Sequence, residues 1–136
     1  MIGRYHARSA LATALLVGAL TLSAEDRPAL AQDQAREAGL IAFNNACRTC
    51  HTVKEGDNRL GPTLYNIIGR KAGTVENFAY SSSMKNAGFV WDEKKLDAFI
   101  ANPEATVPGN NMKPYSGMTD AEERKKIIAY LANPGS

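Results

Sequence analysis

The residues with the clearest chemistry are two cysteines and a histidine in the motif Cys47-Arg48-Thr49-Cys50-His51. Thiols three residues apart on a helical turn can each bond one vinyl group of the same porphyrin. The histidine that follows the second thiol then lies beneath the iron of that ring. The C-x-x-C-H spacing therefore predicts covalent attachment of one haem c through Cys47 and Cys50, with His51 as an iron ligand.

Three other interpretations of these cysteines fit the chain less well. A thioredoxin-like C-x-x-C follows a strand of a βαβ unit, and the sequence has no strand pattern of any length. A structural zinc site needs four ligands, but residues 32–136 hold only two cysteines and one histidine. A plain disulfide, the default in an oxidising compartment, would leave His51 without a role.

The second axial ligand of the iron is not fixed by the motif. His6 lies in a segment that we expect to be removed, so residues 32–136 supply no second histidine. Methionine, lysine, water or an open position remain. Met112 lies in a loop rich in proline and glycine, which can reach the far side of a haem held at residues 47–51. Met118 is its main rival, and Met84 is a further candidate, although a methionine is more often a core residue than a ligand.

The start of the chain predicts a secretory signal peptide over residues 1–31, cleaved after Ala31. Arg4 and Arg8 precede an uncharged apolar run at residues 10–22, and residues 29–31 form a small-x-small cleavage site. An uncleaved anchor is the alternative, but the run is shorter than the ~17–20 residues that span a bilayer. A cut nearer Ser23 is also compatible with the pattern. An exported haem protein is expected in a bacterial periplasm.

The charge of the mature chain limits its partners. Removal of residues 1–31 would change the formal net charge from +2 to +1. A nucleic-acid partner would need a strongly basic face, so we expect no nucleic-acid binding.

Helical periodicity predicts an all-α domain over residues 32–136, with three main helices plus long loops wrapped around one covalent haem. The first helix is expected over residues 34–49, and the second follows an N-cap at Asp92 and runs to Ile100. The third is expected to open with a capping box between Thr119 and Glu122. Met84–Ala87 is a candidate short helix. Loops as long as residues 51–83 and 102–118 need a buried group to hold them.

The chain resembles the class I cytochromes c, near the bacterial cytochrome c2 and mitochondrial-type branch, over most of residues 34–132. The landmarks that carry the resemblance are Gly39, Phe43, the C-x-x-C-H motif, Gly61-Pro62-x-Leu64, Gly69-Arg70-x-x-Gly73, Phe78-x-Tyr80-Ser81, Trp91, Asn102-Pro103, Pro108-Gly109-x-x-Met112 and Ile127-Ile128-Ala129-Tyr130-Leu131.

The resemblance implies roles for individual residues. Met112 matches the axial methionine of the family, and Pro62 matches the proline whose carbonyl accepts a hydrogen bond from the ligand histidine. Arg70, Tyr80 and Trp91 match residues that surround the haem propionates. The contact between the first and last helices is matched by four residues, Gly39, Phe43, Ile127 and Tyr130.

The chain departs from the family pattern in three ways. Phe99 stands where the family usually has a tyrosine that donates toward the methionine sulfur, which should change the iron potential or the iron–methionine bond. The spacing from Met112 to Gly117 is one residue longer than usual. The ring of lysines around the haem edge is thinned, with Asn110 and Asn111 before the methionine, and its remaining candidates are Lys54, Lys71, Lys85 and Lys113.

These features together predict a soluble, monomeric carrier of single electrons and not an enzyme. The implied partners are a cytochrome bc1-type donor and an oxidase or reaction-centre acceptor, with only transient docking on membrane complexes. Two alternatives remain: a redox subunit of a larger enzyme complex, and a ligand-binding or peroxidatic haem protein with an open sixth position.

Overall fold

The computed structural model describes residues 26–135, which form helices joined by long loops. Three helices are long and two are a single turn: α1 (Asp26–Ala46), α2 (Ser82–Lys85), α3 (Glu93–Ala101), α4 (Pro103–Thr106) and α5 (Ala121–Ala132). Extended pairing among the described residues is limited to one bridge between Lys71 and Val90. The all-α prediction is therefore confirmed.

The helix boundaries differ from the predicted ones where local geometry overrides sequence periodicity. α1 ends at Ala46 because the residues that follow form a tight turn, in which the N–H groups of Cys50 and His51 both donate to the Cys47 carbonyl at 3.1 and 2.9 Å. α1 begins at Asp26, inside the segment predicted to be removed, and the rest of that leader lies outside the described residues. Between residues 26 and 135, no helix combines the length and apolar character needed to cross a bilayer.

We predicted an N-terminal cap for each of the two later long helices, α3 and α5. The structure confirms the first prediction and contradicts the second. Asp92 caps α3 as predicted, accepting from the Lys95 N–H at 2.6 Å. The predicted capping box of Thr119 is wrong, because Asp120 accepts from the Glu122 and Glu123 N–H groups at 2.9 and 3.1 Å. A single carboxylate thus satisfies two free N–H groups of α5 and adds favourable charge at the helix N-terminus.

The loop predictions need two further corrections. Residues 102–118 contain the one-turn helix α4, which Asn102 caps by accepting from the Ala105 N–H at 3.0 Å. The helix predicted at 84–87 lies two residues earlier, because the Ser81 hydroxyl accepts from the Met84 N–H at 3.1 Å and thereby sets its start.

The crossing of α1 and α5 forms the base of the core. A Cβ atom added to Gly39 would lie 2.7 Å from both the Lys126 carbonyl oxygen and the Tyr130 Cβ. The rings of Phe43 and Tyr130 lie with their centroids 5.4 Å apart, and Ile127 is fully buried. The helix contact predicted from these residues is present, and the absent side chain of Gly39 permits it.

A second contact joins α3 to α5 and to the loop before it. Arg124 donates from Nε to Asp97 at 2.7 Å, and its Nη1 donates to the carbonyls of Met118 and Thr119 at 2.9 and 3.0 Å. The Arg124 side chain is only 12% exposed. The end of the long second loop is therefore fixed to the two helices that flank it.

We predict that Gly39→Ala lowers the free energy of unfolding by up to about 2 kcal/mol in denaturant titrations of the haem-loaded protein. Alanine favours a helix over glycine by about 1 kcal/mol, but here its methyl group would overlap a backbone carbonyl and a Cβ, and overpacking costs about 1–3 kcal/mol. Ala35→Gly on the exposed face of α1 is the matched control for propensity. A gain in stability for Gly39→Ala would contradict the close crossing.

Candidate haem site

The two cysteines lie on the turn that closes α1. The Cys47 N–H donates to the Phe43 carbonyl at 2.8 Å, so the helical path continues through the first cysteine. Both thiols are free and half-buried. Burial raises the pKa of the Cys47 thiol to about 11, and the neighbouring Cys50 adds to this increase. Cys47 is therefore a protonated thiol at neutral pH, which differs from the exposed thiolate of a redox-active C-x-x-C site.

His51 is buried and fixed in one orientation. Its Nδ1 lies 2.8 Å from the Pro62 carbonyl oxygen. Because a carbonyl can only accept, Nδ1 carries the proton and Nε2 keeps a lone pair for a metal. Burial lowers the pKa of His51, and the bond to Pro62 opposes that change only in part. The imidazole is therefore neutral and fixed in orientation, and the neutral form is the one that binds a metal.

Gly61 provides the surface against which the imidazole packs. A Cβ atom at this position would lie 2.2 Å from Cε1, 2.6 Å from Nδ1 and 2.8 Å from Nε2 of His51. The Gly61 N–H donates to the Cys50 carbonyl at 2.8 Å, which ties the loop to the cysteine turn. Only glycine can occupy this place without displacing the ring.

The residues expected near the propionates are brought together. The Trp91 N–H donates to the Arg70 carbonyl at 2.8 Å, and the Gly69 N–H donates to the Trp91 carbonyl at 2.8 Å. The Arg70 guanidinium donates to the carbonyls of Thr63 and Tyr65 at 2.8 and 2.7 Å. These bonds hold a positive charge in place beside the buried Trp91, and leave further N–H donors on the guanidinium.

Tyr80 adds a neutral hydroxyl to the same cluster. Burial raises the pKa of Tyr80, while the charge of Arg70 and a hydrogen bond with the Val75 backbone lower it. Burial likewise lowers the pKa of Arg70, with Tyr80 acting in the opposite direction. The mutual effect indicates that the two side chains are close to each other. Arginine and tyrosine together offer charge and donors to a carboxylate.

The three methionines occupy different settings. Met84 is buried in α2. Met118 is tied to the backbone on both sides, because its N–H donates to Ile100 at 3.0 Å and its carbonyl accepts from Arg124. Met112 is half-buried within the loop, packs against the core cluster, and donates its N–H to the Asn110 side chain at 2.9 Å.

Several residues of this region were not predicted from sequence as part of the site. Two contacts depend on tertiary folding. Gly61 packs against the His51 ring, and Glu104 accepts hydrogen bonds from the loop that contains Met112. Pro108-Gly109 was the available signal for the second of these, because it marks a chain reversal. Tyr115 is also new: its hydroxyl donates to the Ile100 carbonyl at 2.7 Å, and burial, followed by the nearby Cys47, raises the pKa of Tyr115 to about 12.

The donor set of this region fits a covalently bound haem. Two thiols lie one turn apart, a neutral imidazole follows with Nε2 free, and a methionine-bearing loop closes on the same core. An arginine and a tyrosine stand together beside a buried tryptophan, as the carboxylates of a buried porphyrin would require.

Comparisons with known proteins agree with this chemistry. The family model of cytochrome c matches residues 36–134. The chain is 38% identical over 118 residues to cytochrome c2 of Blastochloris viridis, with 86% of this chain and 90% of that protein covered. It is 42% identical over 95 residues to the cytochrome c-type cyt cy of Rhodobacter capsulatus, covering 70% of this chain but only 47% of that protein.

A solved structure agrees as well. Cytochrome cH from Methylobacterium extorquens superposes with a TM-score of 0.65 at 37% identity, covering 71% of this chain and 96% of that one. The predicted fold and the predicted haem c are thereby confirmed, and with its family model covering residues 36–134 the chain belongs to the cytochrome c family.

Proposed function

We propose that this protein carries single electrons through one haem c whose iron is ligated by His51 and Met112. The observation that carries the proposal is the bond from His51 Nδ1 to the Pro62 carbonyl at 2.8 Å. It holds a neutral imidazole in one orientation, as a permanent axial ligand requires. The family membership supports the coarser role of a haem electron-transfer protein.

When bound, the haem supplies a one-electron couple whose potential depends on its axial ligands and surroundings. Three features of the protein would set the reduction potential of this couple. His51 is made more basic by donating to Pro62. The thioether of Met112 would favour ferrous iron and raise the potential of a bound haem. The apolar core around the loops disfavours added charge.

Met112 is favoured over its rivals by its place in the middle of the loop, away from the points where the loop is bound to the long helices. Met118 lies where the loop is bound to α3 and α5, and Met84 belongs to a buried helical turn. Met112 donates its N–H to the Asn110 side chain, and its half-buried side chain packs against the core cluster after the turn at Pro108-Gly109. The resemblance to the class I cytochromes c also favours Met112, because it matches the axial methionine of that family. Ligation by Met112 stays a prediction.

Arg70, Tyr80 and Trp91 are proposed to receive the haem propionates. Arg70 is fixed by two carbonyls and retains unused donors, so its charge would offset a carboxylate without costly rearrangement. Cys47 and Cys50 are proposed as the attachment points. No catalytic role is proposed, since the only histidine of residues 26–135 is His51, which the iron would occupy.

The proposed partners are acidic redox proteins, such as a bc1-type donor and an oxidase or reaction-centre acceptor, met transiently in the periplasm after removal of residues 1–31. Leu60 is 79% exposed and follows the exposed Arg59, whose guanidinium reaches the Arg48 carbonyl beside the cysteine turn. Arg59 also pairs with Asp57 at 3.4 Å, and an exposed apolar residue beside such a partly neutralised cation suits weak docking. Lys113 is paired in the same way, with Glu104 at 3.1 Å.

One observation favours the alternative of an open sixth position. Phe99 offers no hydroxyl to a methionine sulfur, and the hydroxyl of Tyr115 is already donated to the Ile100 carbonyl. The iron–methionine bond would thus lack a donor that the resemblance leads one to expect, and would open more readily to external ligands.

The ferric absorption spectrum tests the ligation directly. We predict a weak sulfur-to-iron band at about 695 nm, abolished in Met112→Ala and retained in Met118→Ala. The two variants are matched, because both remove a half-buried methionine side chain from the same loop. Loss of the band in Met118→Ala alone would assign the ligand to Met118. Absence of the band in the unmutated protein would favour the open-site alternative.

Phe99→Tyr should raise the reduction potential by about 30 mV, roughly a threefold change in the equilibrium constant of a one-electron couple. A phenol that donates to the sulfur withdraws electron density and disfavours ferric iron. Phe89→Tyr is the control, since Phe89 packs on Trp91 as Phe99 does, with centroid distances of 4.7 and 5.2 Å. Equal potentials in all three proteins, measured by redox titration, would mean that Phe99 does not face the ligand.

A further inference from the structure

Glu104, at the start of α4, accepts three hydrogen bonds from the loop of Met112. Its Oε1 accepts from the Gly109 N–H at 2.9 Å. Its Oε2 accepts from the Asn110 side-chain amide at 3.3 Å and from the Lys113 ammonium at 3.1 Å. One exposed carboxylate therefore connects α4 to residues on both sides of Met112.

Asn110 carries this connection to the methionine. It is only 3% exposed, and its amide nitrogen also donates to the Val107 carbonyl at 3.0 Å. Its Oδ1 accepts from the Met112 N–H at 2.9 Å. Because a buried amide must keep its partners, the position of Met112 follows the position of Asn110.

The segment between Glu104 and Asn110 is already shaped to bring the two together. The Asn110 N–H donates to the Val107 carbonyl at 3.1 Å, and Gly109 has a φ of +77°. Pro108 and Gly109 thus occupy the central positions of a tight turn that needs a positive φ at its second residue. A Cβ on Gly109 would lie 2.8 Å from the Ser83 hydroxyl, so the turn also lies close to α2.

The other end of the loop is held to the residues just before Glu104. The Ile100 carbonyl accepts from the Tyr115 hydroxyl at 2.7 Å and from the Met118 N–H at 3.0 Å. A Cβ on Gly117 would lie 2.2 Å from the Ala101 carbonyl oxygen. Residues 100–104 therefore form a fixed platform, to which the methionine loop is attached on both sides.

We infer that Glu104 is a positioning residue for Met112, the proposed iron ligand: by accepting from Gly109 and Asn110 it holds the Met112 backbone so that the sulfur would reach the iron of a bound haem. The inference rests on the proposed ligation by Met112. The position of Met112 is attributed to the hydrogen bonds that Glu104 accepts from the turn, and not to the ion pair between Glu104 and Lys113. The side chain of Lys113 is 61% exposed and that of Glu104 is 55% exposed. Exposed pairs of this kind contribute little.

The charge state of Glu104 suits this role. The Gly109 N–H, followed by Lys113, holds the pKa of Glu104 below its usual range, so the carboxylate is ionised at neutral pH. Both oxygens then accept, and hydrogen bonds to an ionised acceptor are stronger than neutral ones. In Glu104→Gln one oxygen becomes an NH2 group. Either the Gly109 N–H or the Asn110 amide would then face a donor.

The test is an imidazole titration of the ferric, haem-loaded protein, in which imidazole competes with the methionine for the iron. Glu104→Gln should bind imidazole about three- to tenfold more tightly than the unmutated protein, as expected for loss of a hydrogen bond, and its band at about 695 nm should weaken. Lys113→Gln removes only the ion pair and should match the unmutated protein. Glu37→Gln, an exposed carboxylate on α1, controls for the change in charge.

Each outcome distinguishes this inference from the proposed function. If the unmutated protein lacks the band, ligation by methionine fails and the inference fails with it. If the band is present but Glu104→Gln binds imidazole as the unmutated protein does, the inference alone is overturned. An equal effect in Lys113→Gln would overturn it too, because the ion pair would then be responsible. Thermal unfolding of each variant separates local loosening from general loss of stability.

Discussion

The hydrogen bond from His51 to the Pro62 carbonyl is the interaction on which the rest of the site depends. It fixes which imidazole nitrogen carries the proton and therefore which one can meet a metal. Gly61 makes the bond possible, because any side chain there would occupy the space of the ring. The loop after the cysteine turn has to bring Pro62 back to His51. This path also places the next residue, Thr63, whose carbonyl accepts from Arg70.

The packing of the long helices orients the cysteine turn, although the helix crossing itself lies away from it. The crossing of α1 and α5 at Gly39 sets the direction in which α1 delivers the cysteine turn to the core. The two thiols lie beyond the last residue of that helix, and the Cys47 N–H still donates to the Phe43 carbonyl. Covalent attachment to a rigid helix end would fix one side of the haem. The proposed second ligand lies in residues 107–118, which contain no long helix of their own.

Sequence alone predicted the features that depend on local spacing. The C-x-x-C-H motif and the Asp92 cap are each contained in a few consecutive residues, and a periodic pattern marked the long helices. The choice of Asp120 over Thr119 as a cap was missed because both residues are suitable and backbone geometry decides between them. The contacts of Glu104 with Gly109 and Asn110 were missed because they exist only after the chain has reversed at the turn. The choice between Met112 and Met118 as ligand is of the same non-local kind.

The thinned ring of lysines can be understood from the same network. Lys113 pairs with Glu104 at 3.1 Å, so its charge is partly offset before a partner approaches. The positive charge near the cysteine turn includes Arg48 and Arg59, and Arg59, which precedes the exposed Leu60, pairs with Asp57 at 3.4 Å. With a formal net charge of only +2 for the whole chain, long-range steering is weak, and short-range contact must supply more of the recognition. The pairing of Lys113 and Arg59 with neighbouring carboxylates agrees with this low net charge, and a partner would then be recognised by close contact, for which the exposed Leu60 is available.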